Sequence, residues 1–301
     1  MSKVFIGMPA YNGARFIEKA INSIIAQSFK DWQLLISDDC SNDETEQIGQ
    51  KYAKIDSRIT YYRQKKNLGI YANFKFVLDE ANEKYFMWAA QDDIREKNYL
   101  SVCIEKLENN KDIGLATTIM AAIDSFDRIL IEEKDLLKLS GKSRFLSVVR
   151  YVLQPEILGK CNLMYGLFQT SVIKTVWKAY PQRHVWGHDY MFSLALISRF
   201  KIHVDNKTLF KKRLGGVSSP NATLNDKKDN FRKLEYKQPK NHIFPFGRFK
   251  SYFKGHMEAL HGTPYRGIVA ILLIIRLPRA FFIHIKERSI RNFLKRKFKR
   301  K

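Results

Sequence analysis

Cysteine is scarce: three residues, Cys40, Cys103 and Cys161, an odd number, widely spaced, with no CxxC pair and no histidine at zinc-finger spacing. That excludes a disulfide framework and a structural zinc site, and it predicts ordinary half-buried thiols in a reducing compartment. Long apolar runs are also missing. The octet 268–275 is followed at once by Arg276 and Pro278, short of the roughly 17 apolar residues that cross a bilayer. The opening MSKVFIGMPAYN runs straight into Pro9 and a turn, without the layout of a secretory signal, so a cytoplasmic protein is expected. There is no internal repeat.

What is present is a chain of 301 residues, 45% hydrophobic, long enough for one large domain or a domain with an appendage. The net charge of +23 is uneven: residues 286–301 hold nine Lys/Arg against one acid, Glu287. The first hundred residues are nearly balanced and contain most of the carboxylates of interest. Such asymmetry points to an enzyme body with a basic tail.

Apolar runs at 3–9, 32–37, 59–63, 85–90 and 114–118 alternate with helical patterns at 14–27, from Asp43 onward, at 70–83 and at 98–109. This spacing predicts βαβ units and therefore an α/β fold with a mostly parallel sheet. Ligands in such sheets bind beyond the carboxyl ends of the strands. Four polar clusters would meet there: PAYN (9–12), SDDCS (37–41), RQKKNLG (63–69) and AQDD (90–93). Beyond residue 120 the pattern becomes irregular, with a turn at Asp127–Arg128, helices at 143–153 (stopped by Pro155), 171–178 and 187–198, and a Gly/Ser/Asn/Lys/Pro-rich loop at 215–245.

Side chains alternate along an extended segment, so Asp92 and Asp93 can offer one carboxylate to a ligand and the other to a neighbouring amide. A hard divalent cation, Mg2+ or Mn2+, would relieve their repulsion if a nucleotide diphosphate sat at this rim, and Ala89–Ala90 leaves space for it. The alternative is that one Asp caps the following helix. Asp38 and Asp39 raise the same question; Ser41 and Asp43 serve as caps, while a carboxylate here can accept the N–H of a pyrimidine. Pro9–Gly13 reads as a plain turn, or as one that lays Tyr11 on a base or ribose.

Together these residues resemble the family 2 glycosyltransferases, inverting enzymes with the GT-A fold that use nucleotide sugars. The likeness is close over about 3–118 and looser to about 218. The family's P-x-Y-N is Pro9-Ala10-Tyr11-Asn12, its D-D-x-S is Asp38-Asp39-Cys40-Ser41, its N-x-G is Asn67-Leu68-Gly69, and its DxD-type motif falls on Ala90-Gln91-Asp92-Asp93. The resemblance implies that Tyr11 and Asp39 hold the base and that Asp92 and Asp93 hold the metal and diphosphate. Ala90 stands where many members have the first Asp. The family's base, usually in an E-D pair, falls on Asp189 within Trp186-Gly187-His188-Asp189-Tyr190, His188 replacing Glu; His188 is the rival base and a helix cap the alternative role for Asp189. The segment 211–219 resembles R-x-H-G-G-x-S, with Leu214 in place of His and Arg213 able to reach the diphosphate or to lie in a solvated turn. The processive signature Q-x-x-R-W is absent, so one sugar per encounter is expected. Trp186, Tyr165 and Trp177 stack on sugars or belong to the core.

The expected organisation is a GT-A domain over 1–218, with a nucleotide-sugar half at 1–118 and an acceptor half at 119–218, then a linker at 219–250 and a basic amphipathic helical extension at 251–301. The extension suits an anionic membrane surface, with a solvated tail behind a packed helix as the alternative. The expected function is transfer of a hexosyl or rhamnosyl group from a UDP- or dTDP-sugar to a glycan or lipid-linked acceptor, for surface polysaccharide or lipopolysaccharide, at the inner face of the membrane. A nucleotidyltransferase would call for a Gly-rich phosphate loop, and PAYNGAR has a single Gly. A nucleic-acid-binding protein would call for a reading motif, and none is seen.

Overall fold

The computed structural model describes residues 3–153, 160–180, 188–214, 246–276 and 278. Its first half follows the βαβ expectation: β1 (Val4–Ala10), α1 (Ile17–Ile25), β2 (Trp32–Asp38), α2 (Thr45–Ile55), β3 (Ile59–Arg63), α3 (Ile70–Asp79) and β4 (Tyr85–Trp88). β1 runs parallel to β2 and β4, and β2 to β3. Every residue of β1 is buried, as a strand covered on both faces requires. Val4, Ile6 and Met8 meet α1 and α4 on one side; Phe5 joins the α3 side.

The second half adds β5 (Ile94–Arg95), α4 (Tyr99–Asn109), β6 (Ile113–Ile123), β7 (Ile129–Glu133), α5 (Arg144–Leu153), β8 (Leu167–Gln169), α6 (Thr170–Ala179), α7 (His188–Arg199) and β9 (Lys201–Arg213). The sheet is mixed rather than mostly parallel. β4–β8, β6–β8, β6–β7 and β5–β9 are antiparallel, and only β6–β9 among the later pairs is parallel. Two successive antiparallel steps, β4 to β8 and β8 to β6, restore the original direction. β6 and β9 therefore end on the same side as β4, which brings Arg213 beside Asp93 across 120 residues of sequence. The expected division at 118/119 falls inside β6, so the two halves share a strand. Asp127 sits in the β6–β7 turn at φ 66°, and the three cysteines are free thiols, Cys103 buried and the other two half-buried.

Trp88, fully buried, gathers Phe74, Phe86, Trp177 and Phe192 at centroid distances of 5.1–6.0 Å. Trp177 is thus a core residue. Gly7 in β1 is needed for close approach: a Cβ there would lie 2.6 Å from Cγ2 of Val77 on α3.

The extension is partly core as well. α8 (Phe246–Ala259) and a helix at 266–276, α9, place Ala259, Leu260, Val269 and Leu273 in the same cluster as α5 and α7. Arg199 fixes them, donating to the Ala259 carbonyl (2.9 Å) and the His261 carbonyl (2.6 Å) at the C-terminal end of α8, where a cation opposes the helix dipole. α8 begins at Phe246, within the last residues of the expected 219–250 linker, and docks on α7. Residues 154–159, including Pro155, together with 181–187 (Trp186 and Gly187), 215–245 and 279–301, lie outside the described residues.

Gly7→Ala is expected to cost about 1–3 kcal/mol in urea denaturation through overpacking. Adding Val77→Ala should make the double variant less destabilised than the sum of the two single changes; strict additivity would remove the steric account.

Candidate functional site

The turn after β1 is stitched to two other loops. The Tyr11 amide donates to Gln91 Oε1 and Gln91 Nε2 donates back to the Tyr11 carbonyl, each at 2.9 Å. Asn12, at φ 47°, gives its amide to Ser41 Oγ (2.9 Å), and its side-chain oxygen accepts the Asn42 amide. Ala14 N–H reaches Asp43, whose other oxygen takes the Thr45 amide at the start of α2. The backbone on either side of the Tyr11 ring is therefore held from both neighbouring loops. Pro9 is buried within β1.

The two aspartates after β2 have different work. Asp38 is fully buried, and its oxygens accept from Ser41, Tyr61 Oη and Arg63, which leaves it no open side for a ligand. It is a bracket for the loop, contrary to the expectation of nucleotide contact. Asp39 accepts the amides of Leu68 (2.6 Å) and Gly69 (3.0 Å), while Asn67 Nδ2 donates to its carbonyl (3.1 Å). Each Asp39 oxygen thus carries one N–H and keeps a second acceptor position. Burial lifts its carboxyl above the ordinary value, against the two amides that lower it. The N-x-G segment, with Gly69 at φ 83°, is the partner that shapes this loop.

Asp92 and Asp93 lie between β4 and β5. The helix-cap reading fails for both, because α4 begins only at Tyr99. Asp93 accepts the Arg213 amide at 3.0 Å through one oxygen, and its other oxygen is buried without a partner. Asp92 is pushed up to about 6 by burial and by the Asp93 charge beside it. A buried, unsatisfied carboxylate oxygen next to a second carboxylate fits a divalent cation. Among the described residues no group of three or more His, Cys, Asp or Glu converges. A metal here would take two protein carboxylates and draw its remaining ligands from phosphate and water.

Arg213 does not have the reach expected of it. Its buried guanidinium donates to the carbonyls of Asp92 (3.0 Å) and Asp124 (2.6 Å) and to Asp127 (2.5 Å), and it lies 4.4 Å from the Phe16 ring centre. It fastens the Asp92–Asp93 turn to the β6–β7 turn. Lys211 pairs with Glu96 at 2.5 Å. Among the described residues the cation that faces the site is Lys212, which its basic run conceals in the sequence. Half-buried, it sits 4.5 Å from the Tyr165 ring centre. Burial opposes its charge, but Tyr165, Asp93, Cys161 and Asp92 together hold its pKa above the usual lysine value.

Asp189 is half-buried in the first turn of α7, accepting the Tyr190 amide at 3.0 Å. Burial raises its carboxyl; the Tyr190 amide, Lys212 and the Cys161 thiol pull it down. Lys212 is thus a common charged neighbour of Asp92, Asp93 and Asp189. Tyr165 packs on Phe210 beneath Lys212 and lines the site floor. His188 is the first residue of α7.

Residues 5–163 match the family model for glycosyl transferase family 2. The uncharacterized glycosyltransferase RP339 of Rickettsia prowazekii is 27% identical over 232 residues, 74% of this chain and 67% of the relative. The GalNAc(5)-diNAcBac-PP-undecaprenol beta-1,3-glucosyltransferase of Campylobacter jejuni is 35% identical over 107 residues, 35% of each chain. Among solved structures, S. aureus TarS 1-349 in complex with UDP-GlcNAc aligns with a TM-score of 0.64 at 15% identity, covering 93% of this chain and 72% of that one. The chain spans 45% of a longer TarS structure. The mannosyltransferase PcManGT from Pyrobaculum calidifontis, in complex with GDP-Man and Mn2+, gives 0.53 at 13% identity over 96% of this chain and 80% of that one. These likenesses establish a GT-A-like α/β fold. With more than half of its length inside the family model, the chain belongs to glycosyl transferase family 2.

Proposed function

We propose that the protein moves a hexosyl or rhamnosyl group, with inversion, from a UDP- or dTDP-sugar to a hydroxyl of a glycan or lipid-linked acceptor. The observation that carries this reading is the buried Asp92–Asp93 pair after β4, with an unpartnered Asp93 oxygen and with Lys212 acting electrostatically on both carboxylates and on Asp189 in α7. The undecaprenol-linked substrate in the name of the C. jejuni relative and the UDP-GlcNAc complex of TarS support the acceptor and donor classes. Surface polysaccharide or lipopolysaccharide synthesis at the inner face of the membrane, with the basic tail on anionic lipid, follows from that acceptor.

In this reading Tyr11 lies on the base or ribose and Asp39 accepts a pyrimidine N–H. Pro9, Asn12, Asp38, Asn67, Gly69 and Arg213 serve donor binding by holding the loops in shape. Asp189 takes the proton of the acceptor hydroxyl as that oxygen bonds to the anomeric carbon opposite the diphosphate. The electron pair of the breaking C–O bond leaves on the nucleoside diphosphate, whose growing charge Lys212 faces. Mg2+ or Mn2+ on Asp92 and Asp93 supplies further positive charge there when bound.

Asp189→Asn should lower kcat by about 10²–10⁴ while calorimetric UDP affinity stays unchanged; near-normal turnover would place the base elsewhere. Since burial raises the Asp189 carboxyl, activity should be present above its pKa and lost as pH falls through it, with the acid limb above the ordinary carboxylate value of about 4. UDP binding should tighten with Mn2+, and Asp92→Asn or Asp93→Asn should erase that dependence; equal dependence in both variants would remove the metal assignment. Lys212→Met should lose turnover about 10²–10³-fold with a smaller loss of melting temperature than Arg213→Met. Arg213→Met should instead destabilise by about 2 kcal/mol or more. The opposite pattern would exchange their roles.

A further inference from the structure

α5 carries apolar side chains on its outward side as well as its inward one, although it lies at the surface. Its inner stripe, Val148, Tyr151 and Val152, is buried in the core. Phe145, Leu146 and Leu153 fall within one outward arc at 100° per residue and are 47, 44 and 41% exposed. α9 repeats the pattern: Val269 and Leu273 point into the same core, while Ile271, Ile274 and Ile275 are 54, 57 and 66% exposed. A helix with apolar residues on both faces calls for a second partner, and among the described residues none covers these positions.

The two helices lie side by side in the same direction. At their starts Phe145 and Tyr265 are 6.4 Å apart between ring centres, and at their ends Arg276 donates to the Val152 carbonyl. Charge identifies what the face meets. Neither 136–155 nor 259–286 contains an Asp or Glu, and each carries four Lys/Arg. Lys142, Arg144 and Arg266 are exposed at the rim. The chain then continues from α9 into the run of nine Lys/Arg and one acid at 286–301. An apolar face without a single acid, edged by cations and leading into a basic tail, is complementary to an anionic lipid surface.

We propose that the outward faces of α5 and α9 form one docking surface for an anionic bilayer. This deepens the membrane reading given above, which assigned lipid contact to the C-terminal extension alone, by adding α5, and rests on it for the class of acceptor. α5 also ties the surface to the chemistry. Tyr151 Oη donates to the Tyr190 carbonyl at 2.7 Å, one residue from Asp189. Docking through α5 thus sets the height of the proposed base above the lipid headgroups, where a lipid-linked acceptor presents its hydroxyl.

The test is co-sedimentation of the full chain with phosphatidylcholine vesicles, with and without phosphatidylglycerol. Three variants are compared: Phe145→Ser/Leu153→Ser, Ile271→Ser/Ile275→Ser, and a chain ending at residue 278. Wild type should bind only the anionic vesicles and release in high salt. Each serine pair should weaken partitioning about tenfold or more, with melting temperature and UDP affinity kept. Wild-type-like binding by the α5 pair, with complete loss on truncation, would confine docking to the tail and overturn the proposal. So would absence of vesicle binding, or a dimer of the wild type that the serine pairs convert to monomer. Loss of UDP binding in the wild type would count against the donor site and not against the docking surface.

Discussion

Two adjacent carboxylates cannot both remain charged under cover unless positive charge is fixed nearby, and Asp92 and Asp93 are the point to which the rest of the structure answers. The fold supplies that charge from β9. One of its cations, Arg213, is spent on backbone carbonyls and Asp127 and makes the turn rigid; the next, Lys212, faces the carboxylates. Alternation along the strand separates the two: Lys211 and Arg213 go to structural partners, and Lys212 points the other way. A sheet with two antiparallel steps brings β9 to this edge in the right direction.

The first four strands were legible because their signal is local. Each is a short apolar run followed by an amphipathic helix, and the polar clusters at their ends fall where a parallel sheet must place them. The later topology was not. β8 has three residues and β5 two, too few to show a period, and β9 reads as KIHVDNKTLFKKR, with polar residues at nine of thirteen positions that conceal a strand half-covered by helices and turns. Without β9 the expectation of a mostly parallel sheet was natural, and the carboxylates were left without Lys212.

For the site, residue type was readable and partner was not. Both Asp38 and Asp39 could be singled out, but only the Tyr61 hydroxyl and Arg63, converging on Asp38 from β3, make it a bracket and leave Asp39 the open acceptor positions. Arg213 is the same lesson: a conspicuous arginine whose guanidinium is consumed by the fold. At the C-terminus, composition announced an amphipathic segment and a basic tail. The half of α9 that is core, and the participation of α5 in the outer face, depend on packing between segments more than a hundred residues apart. The hydrogen bond from Tyr151 to the Tyr190 carbonyl ties α5 to the helix that carries the proposed base.

The most direct measurement is a crystal structure with UDP and Mn2+, phased to show manganese by anomalous scattering. The account predicts the manganese peak in direct contact with Asp92 or Asp93, the diphosphate on its far side within reach of Lys212, and the uracil against Tyr11 and Asp39. Manganese or diphosphate bound away from the Asp92–Asp93 turn, with Asp189 on a separate surface, would contradict it.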